Sequence, residues 1–315
     1  MNPKITVALA PMEGVVDPII REVFSLIGGY DLMFTEFIRV TQNLNPDKVF
    51  YKFCPELKNG GKTFYGTPVT VQLLGSDHSA MVDNAAKALE LGSHGIDINF
   101  GCPAKTVNRH DGGAALLKDP QRVGRLLEEL LRQLPCSSGV SAKIRLGFED
   151  TKLLPDLAQI LKSLPLKHLT VHARTKLQGY KPPAHWIEIK NYFSGFSYPV
   201  FANGDIWSFE DWKKCFQVTE CAHFALGRGA FANPALGQQI KLNNPRALSW
   251  NEFTESLLPL FYQKSHEYRD HHYALCRLKQ WLKFLGRNYT EADVAFSKIK
   301  TLKSFAPPAD FWNTL

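Results

Sequence analysis

The chain lacks any C-x-x-C pair, although it carries six cysteines: Cys54, Cys102, Cys136, Cys215, Cys221 and Cys276. Zinc and iron–sulfur sites normally need closely spaced ligands, so no structural metal is expected and no metal ligand is assigned. Apolar runs long enough to span a bilayer are also missing, the longest being of strand length. Met1 to Met12 holds one lysine and a brief apolar run before Pro11, too short for a signal core or an anchor. We therefore expect a cytoplasmic protein with reduced thiols rather than a secreted disulfide scaffold. A third absence is the glycine-rich G-x-G-x-x-G turn that an open, doubly wound sheet places after its first strand. Here the first strand ends in Ala10-Pro11-Met12-Glu13-Gly14.

What is present is an ordinary globular composition, 44% hydrophobic and 21% charged over 315 residues. That length holds one large domain of about 250 residues and a small one. The net charge is +7, and Lys241 to Leu315 contributes 11 basic against 7 acidic residues, more than half of the excess. A basic tail is either a solvated surface or a footprint for a polyanion, and charge by itself does not separate the two.

Eight strand-like segments follow one another: Ile5–Met12, Tyr30–Phe37, Pro68–Leu74, Gly95–Phe100, Val140–Leu146, His168–Ala173, Tyr198–Gly204 and Ala222–Arg228. Helical spacing appears between them, as at Ile20, Val23, Phe24 and Ile27, at Val123, Leu126, Leu127, Leu130 and Leu134, and at Leu154, Leu157, Leu161 and Leu164. Alternating strands and helices imply parallel pairing, and eight such units predict an α/β fold, a closed (β/α)8 TIM barrel. We place the barrel over residues 1–241 and a small all-helical domain over 242–315. In the latter, Trp250, Phe253, Leu257 and Phe261 have helical spacing with a kink expected at Pro259, and Leu275, Leu278, Leu282 and Leu285 form an apolar stripe. Lys279, Lys283 and Arg287 recur on the other side of that stripe, with Arg277 further round.

Active sites of such barrels collect at the C-terminal ends of the strands. Those ends carry Pro11-Met12-Glu13, Thr35-Glu36 followed by Arg39, Gln72, Asn99 and Cys102, Lys143 and Arg145, His172 and Arg174, Asn203-Gly204-Asp205, and Gly227-Arg228-Gly229. Gln72 and Lys143 stand in otherwise apolar strands, and an inward lysine needs an anionic or polar partner. The loops after the last two strands are where barrels commonly bind phosphate, with glycines that admit the anion to backbone N–H groups. Flavin mononucleotide (FMN) would use all of this: phosphate on the Gly/Arg loops, ring edge against Gln72 and Lys143. Cys102 ends a strand of alternating Ile96, Ile98 and Phe100, where Pro103 stops the ladder, so it is either a reactive thiol or a buried apolar filler.

These motifs together resemble the tRNA-dihydrouridine synthases along essentially the whole chain. The resemblance is carried by Ala10–Gly14, Val71-Gln72-Leu73-Leu74-Gly75, Asn99-Phe100-Gly101-Cys102-Pro103, Ala142-Lys143-Ile144-Arg145-Leu146-Gly147, Val171-His172-Ala173-Arg174-Thr175, Ala202–Asp205 and Gly227–Ala230. The Asn-x-Gly-Cys-Pro element is the most specific. Cys102 to Asn108 and the basic C-terminal helix are most similar to the bacterial C-type subfamily, which acts on uridine 16 of the tRNA D-loop. One departure is Arg109-His110-Asp111-Gly112-Gly113, less glycine-rich than the family pattern.

The resemblance implies that NADPH reduces FMN, that hydride passes to C6 of the uracil, and that Cys102 protonates C5. It implies FMN contacts from Pro11, Met12, Glu13, Gln72, Lys143, His172, Asn203, Gly204, Asp205, Gly227 and Arg228. Asn99, Arg39, Lys176, Tyr180, Arg277 and Lys279 are the expected substrate and tRNA contacts. An FMN barrel dehydrogenase acting on a free pyrimidine shares the phosphate loops but has no use for a basic helical appendage. A non-catalytic RNA-binding barrel is the remaining alternative.

Overall fold

Eight parallel strands close into a ring in the computed structural model, which describes residues 4–109, 111–308 and 311–314. His110 of the expected loop lies outside the described residues, as do the first three residues of the apolar start. The strands are β1 (Thr6–Leu9), β2 (Leu32–Phe34), β3 (Ile38–Arg39), β4 (Val69–Leu74), β5 (Ile96–Phe100), β6 (Val140–Arg145), β7 (Leu169–His172), β8 (Val200–Asn203) and β9 (His223–Leu226). Their order is β2-β1-β9-β8-β7-β6-β5-β4-β3, and a β2–β4 pairing closes the circle. The second barrel strand is split: β2 pairs with the start of β4 at Met33 and Val69, and two-residue β3 pairs with its end at Ile38 and Leu73.

The barrel helices are α1 (Pro18–Ile27), α2 (Asp47–Phe53), α3 (His78–Glu90), α4 (Lys105–Arg109), α5 (Pro120–Gln133), α6 (Leu154–Ser163), α7 (Trp186–Phe193) and α8 (Phe209–Thr219). Several begin where a short polar side chain meets orphan N–H groups: Asp17 accepts from Ile20 N, Asp77 from Ala80 N and Ser208 from Asp211 N. After β9 come α9 (Arg228–Ala232), α10 (Leu236–Leu242), α11 (Trp250–Glu252), α12 (Leu258–Tyr268), α13 (His271–Leu285) and α14 (Thr290–Ile299). Ser249 and Glu252 form a reciprocal capping box at the start of α11. The expected Pro259 kink takes the form of a π turn over Phe253–Leu257. Proline has no N–H for the regular ladder, and the wider turn just before it relieves the mismatch.

Strand periodicity sorts side chains into two sets. Val7, Leu9, Val71, Leu73, Ile96, Ile98, Phe100, Ala142 and Ile144 face the helices and join the main core. The alternate residues fill the barrel. One half of that interior is apolar, built from Ala8, Ala10, Phe34, Phe201 and Ala225. The other half is polar: Gln72, Asp97, Asn99, Ser141 and Lys143 stand side by side, with Gln72 paired to Asp97, Asp97 to Ser141 and Asn99 to Lys143 in register. Helix α13 packs its apolar stripe on the barrel through Trp281, which meets Phe261 at 4.8 Å and Phe24 at 6.2 Å between centroids. No helix among the described residues is long and apolar enough to cross a membrane.

Candidate active site

The C-terminal mouth of the barrel opens into a cavity of about 410 Å³, within the range of small-molecule and cofactor sites. Pro11, Met12 and Glu13 from the loop after β1 form one wall, and Gln72, Asn99, Lys143, His172 and Asn203 rise from the floor. Gly204, Asp205, Gly227 and Arg228 form the far side, and Cys102 and Tyr180 also line it. Every residue expected at the cofactor therefore borders one space.

Cys102 is fastened on both sides of its peptide unit. Its N–H and that of Gly101 both donate to Asn99 Oδ1 at 2.9 Å, the turn an asparagine makes with the backbone two and three residues on. Its carbonyl accepts from Asn108 Nδ2 at 3.1 Å and from Ala114 N at 3.2 Å. Gly113 makes the close return possible: at φ +60, a Cβ there would sit 3.1 Å from Cys102 Cβ and 3.0 Å from Val107 Cγ1. The thiol packs with Leu74 and Val107, and burial pushes its pKa up, so the group is a protonated thiol at neutral pH.

Lys143 is desolvated, and burial together with Arg145 lowers its pKa to about 8, against the pull of Asp97 and Cys102. Asp97 and Cys102 act on its ammonium through charge rather than through a hydrogen bond. Arg145 donates to Gly101 O at 2.8 Å and to the carbonyls of Thr175 and Gly179, and its guanidinium lies 5.3 Å from the Tyr180 ring. It thereby ties the cysteine loop to the loop after β7. Arg174 is buried against Asp205, which also faces Arg228 at 3.9 Å. Burial, then Arg145, Lys143, Arg174 and Arg228, holds His172 neutral.

Three cationic side chains, Lys143, Arg145 and Arg228, thus line the cavity together with the carboxylates of Glu13 and Asp205. At Gly227 a Cβ would meet only Met12 Sδ, at 3.5 Å, leaving the backbone open to the cavity. This set fits a ligand that joins an anionic group to a flat ring with acceptors along one edge.

Four expected contacts lie elsewhere. Arg277, anticipated on a phosphate-binding face, is buried: Nε stands 2.8 Å from Asp17 Oδ2, and the other nitrogens donate to the carbonyls of Gly14 and Val15. It is a strut between tail and barrel. Lys279 donates to Leu302 O at 2.6 Å, so its charge is turned onto the chain's own backbone. Lys176 lies 4.6 Å from the Phe148 ring and Arg39 is exposed on β3, both outside the cavity lining. Residues not anticipated at the site are Asp97 and Ser141 beneath it, Asn108 behind Cys102, and Phe37, Trp207 and Phe284 at its rim. Asp97 alternates with Ile96 and Ile98, the signal that could have found it. Nothing local marked Phe284, which comes from the helical tail.

The sequence profile of the dihydrouridine synthase (Dus) family matches residues 8–311. A tRNA-dihydrouridine(16) synthase from Shewanella oneidensis is 46% identical over 298 residues, covering 95% of this chain and 94% of that protein. The enzyme of the same name from Haemophilus influenzae is 44% identical over 299 residues, 95% of this chain and 96% of its own length. Among solved structures, an old yellow enzyme homologue from Zymomonas mobilis superposes with a TM-score of 0.52 at 15% identity, covering 76% of this chain and 89% of that one. The last likeness is one of fold.

Proposed function

The chain belongs to the dihydrouridine synthase family, and from that premise we propose that it reduces uridine 16 in the D-loop of tRNA to 5,6-dihydrouridine, in the cytoplasm, with bound FMN and with NADPH as reductant. The observation that carries this reading is a protonated, rigidly anchored thiol, Cys102, in the same cavity as the ammonium of Lys143.

The cavity residues suit the cofactor. Pro11, Met12 and Glu13 would flank it, Gln72, Lys143 and His172 would meet the polar edge of the ring, and Asn203, Gly204, Asp205, Gly227 and Arg228 would hold the phosphate. When bound, the flavin supplies hydride to C6 of the uracil. The chain supplies the rest. Lys143 holds a positive charge toward the ring edge, stabilising negative charge there. Cys102 gives its proton to C5 of the base, a role for which a thiol kept protonated by burial is suited. Tyr180, half exposed over Arg145, offers a face on which the extruded base can stack.

A uridine within folded RNA must leave its stack to reach the barrel mouth. We assign residues 242–315 to holding the tRNA backbone, with Lys283 on α13 and Arg287 just past its end as outward cations, and Arg39 and Lys176 as further contacts beside the mouth. Phosphate contacts of this kind position the RNA without reading its sequence.

The test is dihydrouridine mapping in tRNA from a strain lacking the gene, together with the visible spectrum of the purified protein. The expected outcome is loss of the modification at position 16, its return on complementation, and a yellow protein inactive on free uridine. Persistence of dihydrouridine at position 16 in the deletion strain rejects the assignment.

A further inference from the structure

A chain of buried hydrogen bonds runs from a carboxylate in the barrel floor to the backbone of Cys102. Asp97 Oδ1 accepts from Ser141 Oγ and its Oδ2 from Gln72 Nε2, each at 2.7 Å. Gln72 Oε1 accepts from Asn99 Nδ2 at 2.8 Å, and Asn99 Oδ1 accepts from Gly101 N and Cys102 N at 2.9 Å. Asp97, Gln72 and Asn99 are all buried, on the adjacent strands β4 and β5.

The two ends of this chain differ in character at neutral pH, where Asp97, its pKa raised to about 6 by burial, is mostly ionised. An ionised carboxylate can only accept, and backbone N–H groups can only donate. Between them stand two carboxamides, each able to present N–H on one side and C=O on the other. One arrangement satisfies both ends, with both amide nitrogens toward Asp97 and both amide oxygens toward Cys102. Turning either amide sets donor against donor in a buried space, where an unmade hydrogen bond is costly.

We propose that Asp97 is a positioning residue for Cys102: its carboxylate dictates the direction of the Gln72 and Asn99 amides and so fixes the loop that carries the thiol. Asn99 accordingly serves the cysteine loop, with one N–H left over, rather than chiefly the substrate. The inference rests on the reading of Cys102 as the proton donor. It assigns a function to the one acidic residue of the strand that ends at the cysteine.

The experiment uses the flavin-loaded enzyme and two substitutions. Asp97→Ala removes the acceptor. Asp97→Asn keeps the volume and leaves the direction of the chain undetermined. Single-turnover dihydrouridine formation at saturating tRNA is expected to slow about 10²-fold in Asp97→Ala and about 10-fold in Asp97→Asn, the scale of a roughly 1 Å misplacement of a reacting group. Affinity for tRNA is expected to stay unchanged; flavin content and reduction by NADPH are measured on the same samples, because Asp97 also bears on Gln72 and Lys143, and rates are compared per reduced flavin. In a Cys102→Ala background the same substitutions should slow the residual rate by less than about two-fold, because the positioned group is gone. Equal slowing in both backgrounds, or slowing that tracks flavin loss, overturns the proposal.

A second readout does not depend on the substrate. Alkylation of Cys102 by iodoacetamide, followed on its own peptide, is expected to quicken several-fold in Asp97→Asn as the loop loosens. If wild-type protein makes no dihydrouridine and this difference persists, the relay stands and the substrate assignment falls. If dihydrouridine forms and neither rate nor alkylation changes, the relay falls.

Discussion

Arg277 and Asp17 form an ion pair in which Nε stands 2.8 Å from Oδ2 and both side chains are less than a tenth exposed. Asp17 is also the N-cap of α1 and accepts from Tyr273 Oη at 2.7 Å. The remaining nitrogens of Arg277, with Gln280 Nε2, donate to the carbonyls of Gly14 and Val15. Helix α13 thus grips the loop after β1, whose residues Pro11, Met12, Glu13 and Val15 border the cavity. The helical tail is part of how the active-site wall is built.

Replacing one partner of this pair strands the other. Arg277→Met should destabilise the protein by about 3–5 kcal/mol, the usual cost of an unpaired buried charge, and should weaken FMN retention as the Pro11–Val15 loop loosens. Adding Asp17→Asn should restore part of the loss. Urea unfolding with flavin fluorescence measures both. A fully stable Arg277→Met protein that retains its flavin would show that the strut contributes nothing.

Cys102→Ala should leave a folded, flavin-binding protein, because the thiol belongs to a small cluster with Leu74, Val107, Phe37 and Ala104 and the loop is held through its backbone by Asn99 and Asn108. Its rate of dihydrouridine formation should fall about 10²–10⁴-fold, the range for a missing general acid, with tRNA affinity intact. Rapid-quench assays at saturating RNA decide this. Wild-type turnover by the variant would remove Cys102 from the mechanism.

Much of this site was legible in the sequence because barrel strands are read by alternation. Gln72 and Lys143 stood out as polar residues among apolar neighbours, and Asp97 and Asn99 alternated with isoleucines. Alternation says which face a side chain occupies, not what it touches there. Asn99 was anticipated at the substrate and does border the cavity, but its carboxamide oxygen and one N–H are engaged by Gly101, Cys102 and Gln72, which alternation could not show. Arg277 lies at the edge of an apolar stripe and passes for a surface cation until Asp17, near the other end of the chain, is brought against it. Long-range pairs of that kind leave no local periodicity. The split of the second strand into β2 and β3 was hidden for a related reason: the Thr35–Phe37 break is set by pairing to β4.

If the proposed FMN site is right, its binding should depend on pH through Lys143. Burial and the neighbouring Arg145 lower its pKa to about 8, while Asp97 and Cys102 pull it upward. The folded protein therefore holds fewer protons than the unfolded chain between about pH 8 and the ordinary lysine value of about 10.4. In that window the stability of the free protein rises with pH, and the strain of a charged Lys143 is fully present below pH 8. Affinity for a ligand whose ring edge takes a hydrogen bond from the Lys143 ammonium runs the other way, falling as the amine neutralises above pH 8. Fluorescence titration of FMN from pH 7 to pH 9.5 should show this slope in the wild type and lose it in Lys143→Met. A flat wild-type profile would place the charge elsewhere.

Two basic residues that look alike in sequence, Lys279 on α13 and Arg287 just past its end, should behave differently toward RNA. Arg287 is exposed, with its guanidinium 4.0 Å from the Trp207 ring at the cavity rim, and stays free to reach a phosphate. Lys279 is committed to Leu302 O. Removing one cation from a phosphate lowers the slope of log affinity against log salt by about 0.7–0.9. Arg287→Ala should therefore weaken tRNA binding and flatten that slope by roughly this amount. Lys279→Ala should leave the slope unchanged and instead loosen the packing of the C-terminal segment on α13. Filter binding between about 50 and 200 mM salt separates the cases. An equal effect from both substitutions would mean that Lys279 leaves its carbonyl to meet the RNA, and no effect from Arg287→Ala would move the tRNA surface off this end of the helix.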